Sequence, residues 1–294
     1  MEFDDVVLGR RSIRGYKPDP VPRELIEEIL AIAMRAPSSM NTQPWNFTVL
    51  TGEPLDRIRQ GNTERNLAGI PHSREFRTGH AFAGVHRDRQ VGVAKQLFSA
   101  MGIARDDAPA RQDWVLRGFR QFDAPVCVII TYDRELADSD DTAFDCGAVT
   151  TALVNAAWSR GLGCVINSQG IMQSPVVREH AGIAEDQVIM KAVALGWPDD
   201  SFPANAVVSE RKSVAEAARY GTTGIYTAAP LLAAKSTDQL SEHFRAGEFY
   251  PQGDPSYRFL RVSPELLRRL EKIRTALGGV AITVHSAYRP PEYN

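Results

Sequence analysis

The clearest periodic pattern in the chain is an apolar stripe between residues 22 and 35. Apolar side chains recur there at spacings of three and four residues, and three glutamates fall on the opposite face. Pro37 follows, and the residue before a proline disfavours helical backbone. The pattern therefore predicts an amphipathic helix that ends just before Pro37.

Four short segments are typical of strands, at residues 46–51, 125–131, 163–166 and 188–196. The second is almost entirely apolar, which indicates a central strand buried on both faces. Further helices are predicted at 90–101 and 110–122, and the polar interval 61–90 is interpreted as loops because it shows no clear periodicity. This mixed order of elements predicts an α+β fold.

Residues 144–160 form a helix of a different character, with hardly any polar face. A helix that is apolar almost all round must be buried on almost all sides. Its small residues permit close helix packing, and Gly161 is placed to cap its C-terminus. It is either an internal core helix or one that packs partly against a second subunit, and we favour the second interpretation.

The composition changes after residue 221, which divides the chain into domains of 1–221 and 222–294. Residues 222–241 are rich in Thr, Gly, Ala and Pro, as a linker or extended arm would be. Ser263 and Pro264 then start a helix that Gly278 closes. Alternating apolar residues at 280–284 predict a strand after it.

Composition narrows the function classes. A formal net charge of −2 over 294 residues gives no global field that would favour nucleic acid or an anionic membrane. The three cysteines are widely spaced and are expected to be reduced, buried thiols. No apolar run is long enough to span a membrane, and the acidic N-terminus is unlike a signal peptide. We therefore expect a cytoplasmic protein.

Three guanidinium groups and a hydroxyl lie within five residues, at Arg10, Arg11, Ser12 and Arg14. Such a cluster can bind a phosphate through charge-assisted hydrogen bonds, although alone it could also be a solvated basic turn. A second run, residues 36–45, reads Ala-Pro-Ser-Ser-Met-Asn-Thr-Gln-Pro-Trp. Its small hydroxyl and amide side chains suit the polar edge of a planar ring.

Together these runs resemble the FMN-binding signature of the nitroreductase family, over about residues 1–220. The resemblance implies a mixed, mainly antiparallel sheet surrounded by helices, in an intertwined homodimer. It places Arg10, Arg11 and Ser12 at the FMN phosphate, and Arg14 near the pyrimidine, where its charge would stabilise the reduced ring. The second run would contact flavin bound mainly by the other subunit, through Pro37, Ser38, Ser39 and Asn41, with Gln43 and Trp45 as supports.

Two further segments gain their meaning from the same resemblance. Ser168, Gln169 and Gly170 follow a predicted strand, where the family places backbone amides against the flavin N5 and O4; the alternative is a plain turn. Arg211 and Lys212 match the family's late basic pair at the phosphate, although such a pair is usually a surface feature. His72, His80 and His86 lack metal-ligand spacing, so we expect a lid or solvated loop and no metal.

The resemblance implies an FMN-dependent oxidoreductase in which NADH or NADPH reduces the flavin and a small aromatic acceptor, nitroaromatic or quinone-like, oxidises it in a ping-pong cycle. The flavin carries the chemistry, so no catalytic side chain is expected. The alternatives are a dehalogenase or dehydrogenase on the same scaffold, or a non-catalytic FMN store or sensor. Aromatic candidates for stacking on a substrate are Phe76, Phe82 and Phe119.

The C-terminal run Ser-Ala-Tyr-Arg-Pro-Pro-Glu-Tyr-Asn, residues 286–294, resembles the opening of a zinc D-alanyl-D-alanine carboxypeptidase domain. That family supplies its zinc ligands after this run, and the sequence ends there. One helix and one strand cannot bury an independent core. The resemblance therefore implies a truncated fragment without peptidase activity.

Overall fold

A computed structural model describes residues 1–76, 81–219, 240, 244 and 264–279. Contacts between residues divide the chain into two compact units, Met1–Glu210 and Arg211–Asn294. The first unit contains a four-stranded sheet and seven α-helices among its described residues. In the second, the described helices are Val214–Ala217 and Pro264–Ala276.

The sheet of the first unit has the strand order β1-β2-β4-β3, with every neighbouring pair antiparallel. A single parallel bridge joins Ser12 to Cys164 at the β3 edge. The prediction of a mixed, mainly antiparallel sheet is therefore confirmed. The strands are β1 (Trp45–Leu50), β2 (Val126–Asp133), β3 (Gly163–Asn167) and β4 (Gln187–Gly196).

Helices cover both faces of this sheet. Side chains of α2 and α6 pack on one face with Val128 and Ile130, and those of α3 and α7 pack on the other with Ile129. Strand β2 is consequently buried on both faces, as its apolar sequence predicted. The helices are α1 (Phe3–Gly9), α2 (Arg23–Ala33), α3 (Gly52–Leu67), α4 (Gly84–Ala100), α5 (Ala108–Phe119), α6 (Asp140–Ser159) and α7 (Ser174–Ala181).

The interpretation of residues 61–90 as loops is wrong in two places. Helix α3 continues through this interval to Leu67, and α4 begins at Gly84, well before the predicted start at residue 90. Leu55 and Ile58 are fully buried in α3, but its third buried position is Asn62. Because asparagine is polar, the sequence shows no continuous apolar stripe there. In α4 only Leu97 is buried, so this helix shows no periodicity to detect.

Helix α6 is confirmed, but its own chain does not cover it on all sides. Cys146, Val149 and Leu153 are fully buried on one side. On the other, Phe144 is 77% exposed, and Gly147 and Thr151 are also exposed. A strip of α6 that contains an exposed phenylalanine and small residues therefore stays open in the single chain, which supports the interpretation that the helix meets a second subunit.

The cysteines have the predicted state. Cys127, Cys146 and Cys164 are free and buried. Burial raises the pKa of each thiol to about 12, which keeps all three protonated and unreactive at neutral pH.

In the second unit, the helix predicted after Ser263 is confirmed as Pro264–Ala276, followed by a turn at Gly278. The predicted strand at 280–284, most of the predicted linker at 222–241 and the carboxypeptidase-like run lie outside the described residues. None of the helices in the described ranges has the length and hydrophobicity needed to span a bilayer.

Candidate functional site

The segment from Arg10 to Arg14 is fixed to the edge of the sheet beside β3. The amide of Ile13 donates to the carbonyl oxygen of Cys164 at 3.0 Å. The Ile13 side chain is buried against Gly163, where a β-carbon would lie 2.6 Å from Ile13 Cγ1. The backbone of the segment is therefore held in place by hydrogen bonding and by close packing, which fixes the positions from which its polar side chains extend.

Asn205, which no sequence motif singled out, clamps this segment. Its buried Oδ1 accepts from the backbone amides of Arg14 at 2.6 Å and Gly15 at 3.1 Å. Its Nδ2 donates to the carbonyl oxygens of Gly15 at 2.8 Å and Asp199 at 2.9 Å. Its own carbonyl oxygen accepts from Arg11 Nε at 2.5 Å. The Asn205 side chain thus ties the end of the basic segment, at Arg14 and Gly15, to the loop at Asp199.

The charge of this segment is uncompensated within the described part of the chain. None of Arg10, Arg11 and Arg14 forms an ion pair with a carboxylate of the described residues. Arg11 lies over the ring of Trp158, 5.6 Å from its centroid. Burial lowers the pKa of the Arg14 guanidinium, which still carries its charge at neutral pH. Three neighbouring cations that have no anionic partner among the described residues suit a phosphate.

The turn after β3 is equally rigid. Buried Asn167 accepts from the amide of Gln169 at 3.0 Å, and its Nδ2 donates at 2.7 Å to Gln121 Oε1 and to the carbonyl oxygen of Gly118. A β-carbon at Gly170 would lie 1.9 Å from Gln121 Nε2, so only glycine fits there. The Gln169 amide is thus engaged, whereas the amide of Gly170, which is buried, donates to no acceptor among the described residues.

Helix α5 joins the basic segment to this turn. Arg117 Nη2 donates to the carbonyl oxygen of Arg14 at 3.3 Å. The same helix contacts the turn after β3, since Gln169 Nε2 donates to the carbonyl oxygen of Val115 at 3.4 Å. A β-carbon at Gly118 would come within 2.1 Å of Gln169 Oε1. The structure therefore brings together two of the segments that the sequence singled out.

Lys191 is a further charged residue beside the turn. It is the only charged residue of the apolar strand β4, and this isolated charge was the signal that could have drawn attention to it. Its ammonium donates to Ser168 Oγ at 2.6 Å. Burial, and secondarily the charge of Arg74, lowers the pKa of Lys191. No carboxylate of the described ranges forms an ion pair with it.

The third segment, Pro37 to Gln43, forms a tight turn between α2 and β1. Ser38 Oγ accepts from the amide of Gln43 at 3.0 Å, and the amide of Ser39 donates to Asp145 Oδ2 at 3.0 Å. Asn41 and Gln43 have φ values of 60° and 47°. Left-handed backbone is uncommon for residues other than glycine, and such strain is frequent at ligand sites.

This third segment is not brought to the other two within one chain. Ser39 is bonded to Asp145 near the start of α6, whereas Arg11 stacks on Trp158 near its end. At 1.5 Å per residue, positions 145 and 158 are about 20 Å apart along the helix axis. The two segments therefore attach to opposite ends of α6.

The late basic pair, Arg211 and Lys212, is exposed and belongs to the second unit. Ser213 follows it and forms a capping box with Glu216 at the start of α8 (Val214–Ala217). In the first unit, His72 stacks at 5.6 Å on Phe119, which is buried, and Phe82 is 60% exposed.

The remaining aromatic and histidine candidates of the polar interval lie in different surroundings. Phe76 meets Tyr132 edge to face, with ring centroids 6.4 Å apart. His80 lies outside the described residues, and His86 is exposed on α4. The described residues contain no group of His, Cys, Asp and Glu side chains that could hold a metal ion.

Residues 7–197 match the nitroreductase family. The chain belongs to this family. Among nitroreductase relatives, it is 36% identical to the nitrobenzene nitroreductase of Ectopseudomonas oleovorans over 217 residues, which are 73% of this chain and 94% of that protein. It is 34% identical to the chloronitrobenzene nitroreductase of Comamonas testosteroni, with the same coverage.

Solved nitroreductase structures agree with the fold. The FMN- and NADPH-dependent nitroreductase NfnB from Sphigopyxis sp. strain HMH superimposes with a TM-score of 0.72 at 27% identity, covering 76% of this chain and all of that one. The FMN-dependent NfnB of Mycobacterium smegmatis, solved in complex with NADPH, gives a TM-score of 0.69 at 25% identity and covers 74% of this chain and 97% of its own. The predicted nitroreductase-like fold is confirmed.

Proposed function

We propose that this nitroreductase-family protein binds FMN and uses NADH or NADPH to reduce a small aromatic acceptor, such as a nitroaromatic compound or a quinone. The observation that carries the proposal is the basic segment beside the turn at Gly170: among the described residues, its arginines have no carboxylate partner and the Gly170 amide has no acceptor. The names of the relatives, which include nitrobenzene and chloronitrobenzene nitroreductases, support a nitroaromatic acceptor.

The residues divide into two groups by the part of FMN that each would hold. Positive side chains would bind the phosphate, and Arg14 would place its charge near the pyrimidine ring. Gly170 would donate its free amide to the ring edge, since the Gln169 amide is already engaged by Asn167. FMN, when bound, would take hydride from the nicotinamide and pass it to the acceptor, so the protein needs only to bind and orient both. Assigned to the phosphate are Arg10, Arg11, Ser12, Arg211 and Lys212, and assigned to the ring are Ser168, Gln169 and Gly170.

We place the third segment at the flavin of a second subunit. About 20 Å of α6 separates it from the phosphate segment of its own chain, which favours its use at the flavin of a partner. The uncovered strip of α6 around Gly147 offers a surface for the partner. In such a homodimer each site would take Pro37, Ser38, Ser39, Asn41 and Gln43 from the opposite chain.

The dimer can be tested on α6. A β-carbon at Gly147 meets nothing within 4 Å, so Gly147→Arg fits the single chain but would obstruct a partner. We expect this variant to elute as a monomer in size-exclusion chromatography with light scattering, and to lose FMN. Gln60 is an exposed residue of α3, and Gln60→Arg is the matched control with the same change in charge. A Gly147→Arg protein that remains dimeric would contradict the assignment of this surface.

The activity is tested by colour and turnover. The purified protein should be yellow, contain about one FMN per chain and lose its colour when NADH or NADPH is added without oxygen. Addition of nitrobenzene should restore the colour over many cycles, and parallel double-reciprocal plots would establish a ping-pong order. A colourless protein that takes up no FMN would refute the whole proposal. Stable yellow protein that NADH and NADPH leave unreduced would favour a flavin store or sensor instead.

We propose that residues 1–221 and 222–294 are separate domains, and that the first is sufficient for flavin binding because every residue assigned to the flavin lies before residue 213. Removal of residues 222–294 should leave FMN content and reductase activity intact. Loss of FMN from a truncated protein that is still dimeric would show that the second domain completes the site. We also propose a cytoplasmic location, because three free, buried thiols are typical of a reducing compartment.

A further inference from the structure

A cavity of about 770 Å³ lies between α4 and the start of α5, outside the site described above. Helix α4 supplies one wall, and the loop before α5 together with the first turn of α5 supplies the other. Its polar and aromatic lining includes Arg87, Gln90, Lys95, Phe98, Arg105 and Arg111.

The charge of the lining is entirely positive. Two of the four cations come from α4, Arg87 and Lys95, and the other two are Arg105 and Arg111. No acidic residue is among the lining residues, and within the described ranges none of the four cations forms an ion pair. Like charges gathered without counter-charges repel one another, so a polyanion in the cavity would be favoured.

Arg111 is already oriented for such a ligand. Its guanidinium stacks on the ring of Phe98, with 4.3 Å between the central carbon and the ring centroid. Stacking fixes the plane of the guanidinium and leaves its N–H edge free. A fixed fork of donors is the arrangement that binds phosphate in two contacts, and it loses little entropy on binding.

The cavity is connected to the flavin-site turn through one rigid element. Helix α5 lines the cavity with Arg111, in its first turn, and continues to Gly118, which packs on Gln169 of the turn. These positions are about 10 Å apart along the helix axis. A ligand whose one end stacks at the flavin and whose other end carries phosphates could therefore extend along α5 into the cavity.

We propose that this cavity binds the phosphate-bearing adenosine half of NADPH. The inference rests on the proposed function, because it assigns the hydride donor of the same site. NADH offers only the pyrophosphate, whereas NADPH adds a 2′-phosphate, for which arginine is the usual partner. Four cations that form no ion pair within the described part of the chain fit the more highly charged dinucleotide, so we expect the protein to prefer NADPH to NADH.

The test uses 2′,5′-ADP, which carries the extra phosphate but no nicotinamide, and 5′-AMP as its matched control. Isothermal titration of the full-length FMN-loaded dimer should show 2′,5′-ADP binding at least about tenfold more tightly than 5′-AMP. Arg111→Gln and Arg105→Gln should each weaken 2′,5′-ADP about tenfold to a hundredfold, as loss of a charged hydrogen bond predicts. Arg57→Gln, an exposed arginine paired with Glu53 on α3, should leave the affinity unchanged.

Several outcomes would overturn the inference. They are equal affinity for 2′,5′-ADP and 5′-AMP, undiminished 2′,5′-ADP affinity in Arg105→Gln, or equal losses in Arg57→Gln. Arg105 is exposed, so its variant remains informative even if Arg111→Gln fails to fold. Flavin content and bleaching by NADH are measured on the same samples. Normal flavin reduction without 2′,5′-ADP selectivity would reject only the assignment of this cavity to NADPH. Protein that binds no FMN would reject the proposed function.

Discussion

The ammonium of Lys191 lies 2.6 Å from Ser168 Oγ, one residue before the rigid Gln169–Gly170 turn. Lys191 is half-buried in a strand that is otherwise apolar, and no carboxylate of the described residues pairs with it. A positive charge beside this turn would stabilise the negative charge that a flavin bound there gains on reduction. Ser168 Oγ accepts this hydrogen bond and so holds the ammonium beside the turn.

Lys191→Met should therefore make the bound flavin harder to reduce. Removal of one nearby positive charge is expected to lower the midpoint potential on the order of 30 mV, equivalent to about 1.4 kcal/mol for a two-electron couple. FMN affinity should change little, because Lys191 is not assigned to the phosphate. Spectroelectrochemical titration measures the potential, with the exposed Lys17→Met as control. An unchanged potential in Lys191→Met would rule out this electrostatic role.

The same lysine should give stability a pH dependence. Burial lowers the pKa of Lys191 in the folded protein, whereas in the unfolded chain it stays near the ordinary value of 10.5. Between those two pKa values the unfolded chain binds more protons, so the free energy of unfolding rises with pH across that interval. Urea unfolding at increasing alkaline pH should show this rise in the parent protein and in Lys17→Met. Lys191→Met should show a smaller rise, and an identical rise would contradict the assignment.

Gly170 has the strictest steric requirement in the proposed site. Gly170→Ala would place a β-carbon 1.9 Å from Gln121 Nε2 and push the Gln121 side chain away from Asn167. We expect the free energy of unfolding to fall by about 1–3 kcal/mol, and FMN affinity to fall with it. Gly92→Ala is the matched control, since its β-carbon meets nothing within 4 Å and it lies in a helix. Equal stabilities of the two variants would show that the turn adapts.

Asn205→Ala should destabilise the basic segment. The change leaves the amides of Arg14 and Gly15 without their acceptor, and each unsatisfied buried group costs about 1–3 kcal/mol. Denaturant unfolding should therefore show a loss of roughly 2–4 kcal/mol, together with weaker FMN binding. Asn46→Ala, an exposed asparagine that bonds to surface side chains, serves as control and should have a small effect. If both variants unfolded at the same urea concentration, the clamp would have no energetic importance.

The sequence predicted the elements whose burial is visible in a local pattern. Strand β2 is apolar at nearly every position and α2 has a clear stripe, so both were identified. Helix α3 was missed because a buried asparagine, Asn62, occupies a position of its stripe and donates to the carbonyl oxygens of Phe119 and Gly170. A local pattern cannot register partners that lie so far away in the chain.

The candidate site shows the same limit. Its basic and small polar residues form contiguous runs, which made the segments recognisable. The residues that hold those runs in place, Asn205 and Asn167, bond to partners up to 194 positions away, and a single asparagine gives no local signal of such partners. The separation of the third segment from the first along α6 likewise depends on tertiary packing.

Arg10 and Arg14 should affect FMN in different ways. Arg10→Ala removes a charged donor assigned to the phosphate, so FMN affinity should fall by about 1.5–3 kcal/mol, roughly tenfold to more than a hundredfold. Arg14 is half-buried and its backbone is clamped by Asn205, so its charge is held in place beside the proposed ring. Arg14→Ala should therefore mainly lower the flavin midpoint potential.

Fluorescence titration of apoprotein with FMN and spectroelectrochemistry of the loaded protein separate these two effects. Arg57 is an exposed residue of α3, so Arg57→Ala provides a control for the loss of one positive charge. It should alter neither the FMN affinity nor the midpoint potential. Equal losses of affinity in Arg10→Ala and Arg14→Ala, with no difference in potential, would mean that both guanidiniums bind the phosphate. The ring would then owe its electrostatic environment to Lys191 and the Gly170 amide, and the Lys191→Met potential would be the larger of the two shifts.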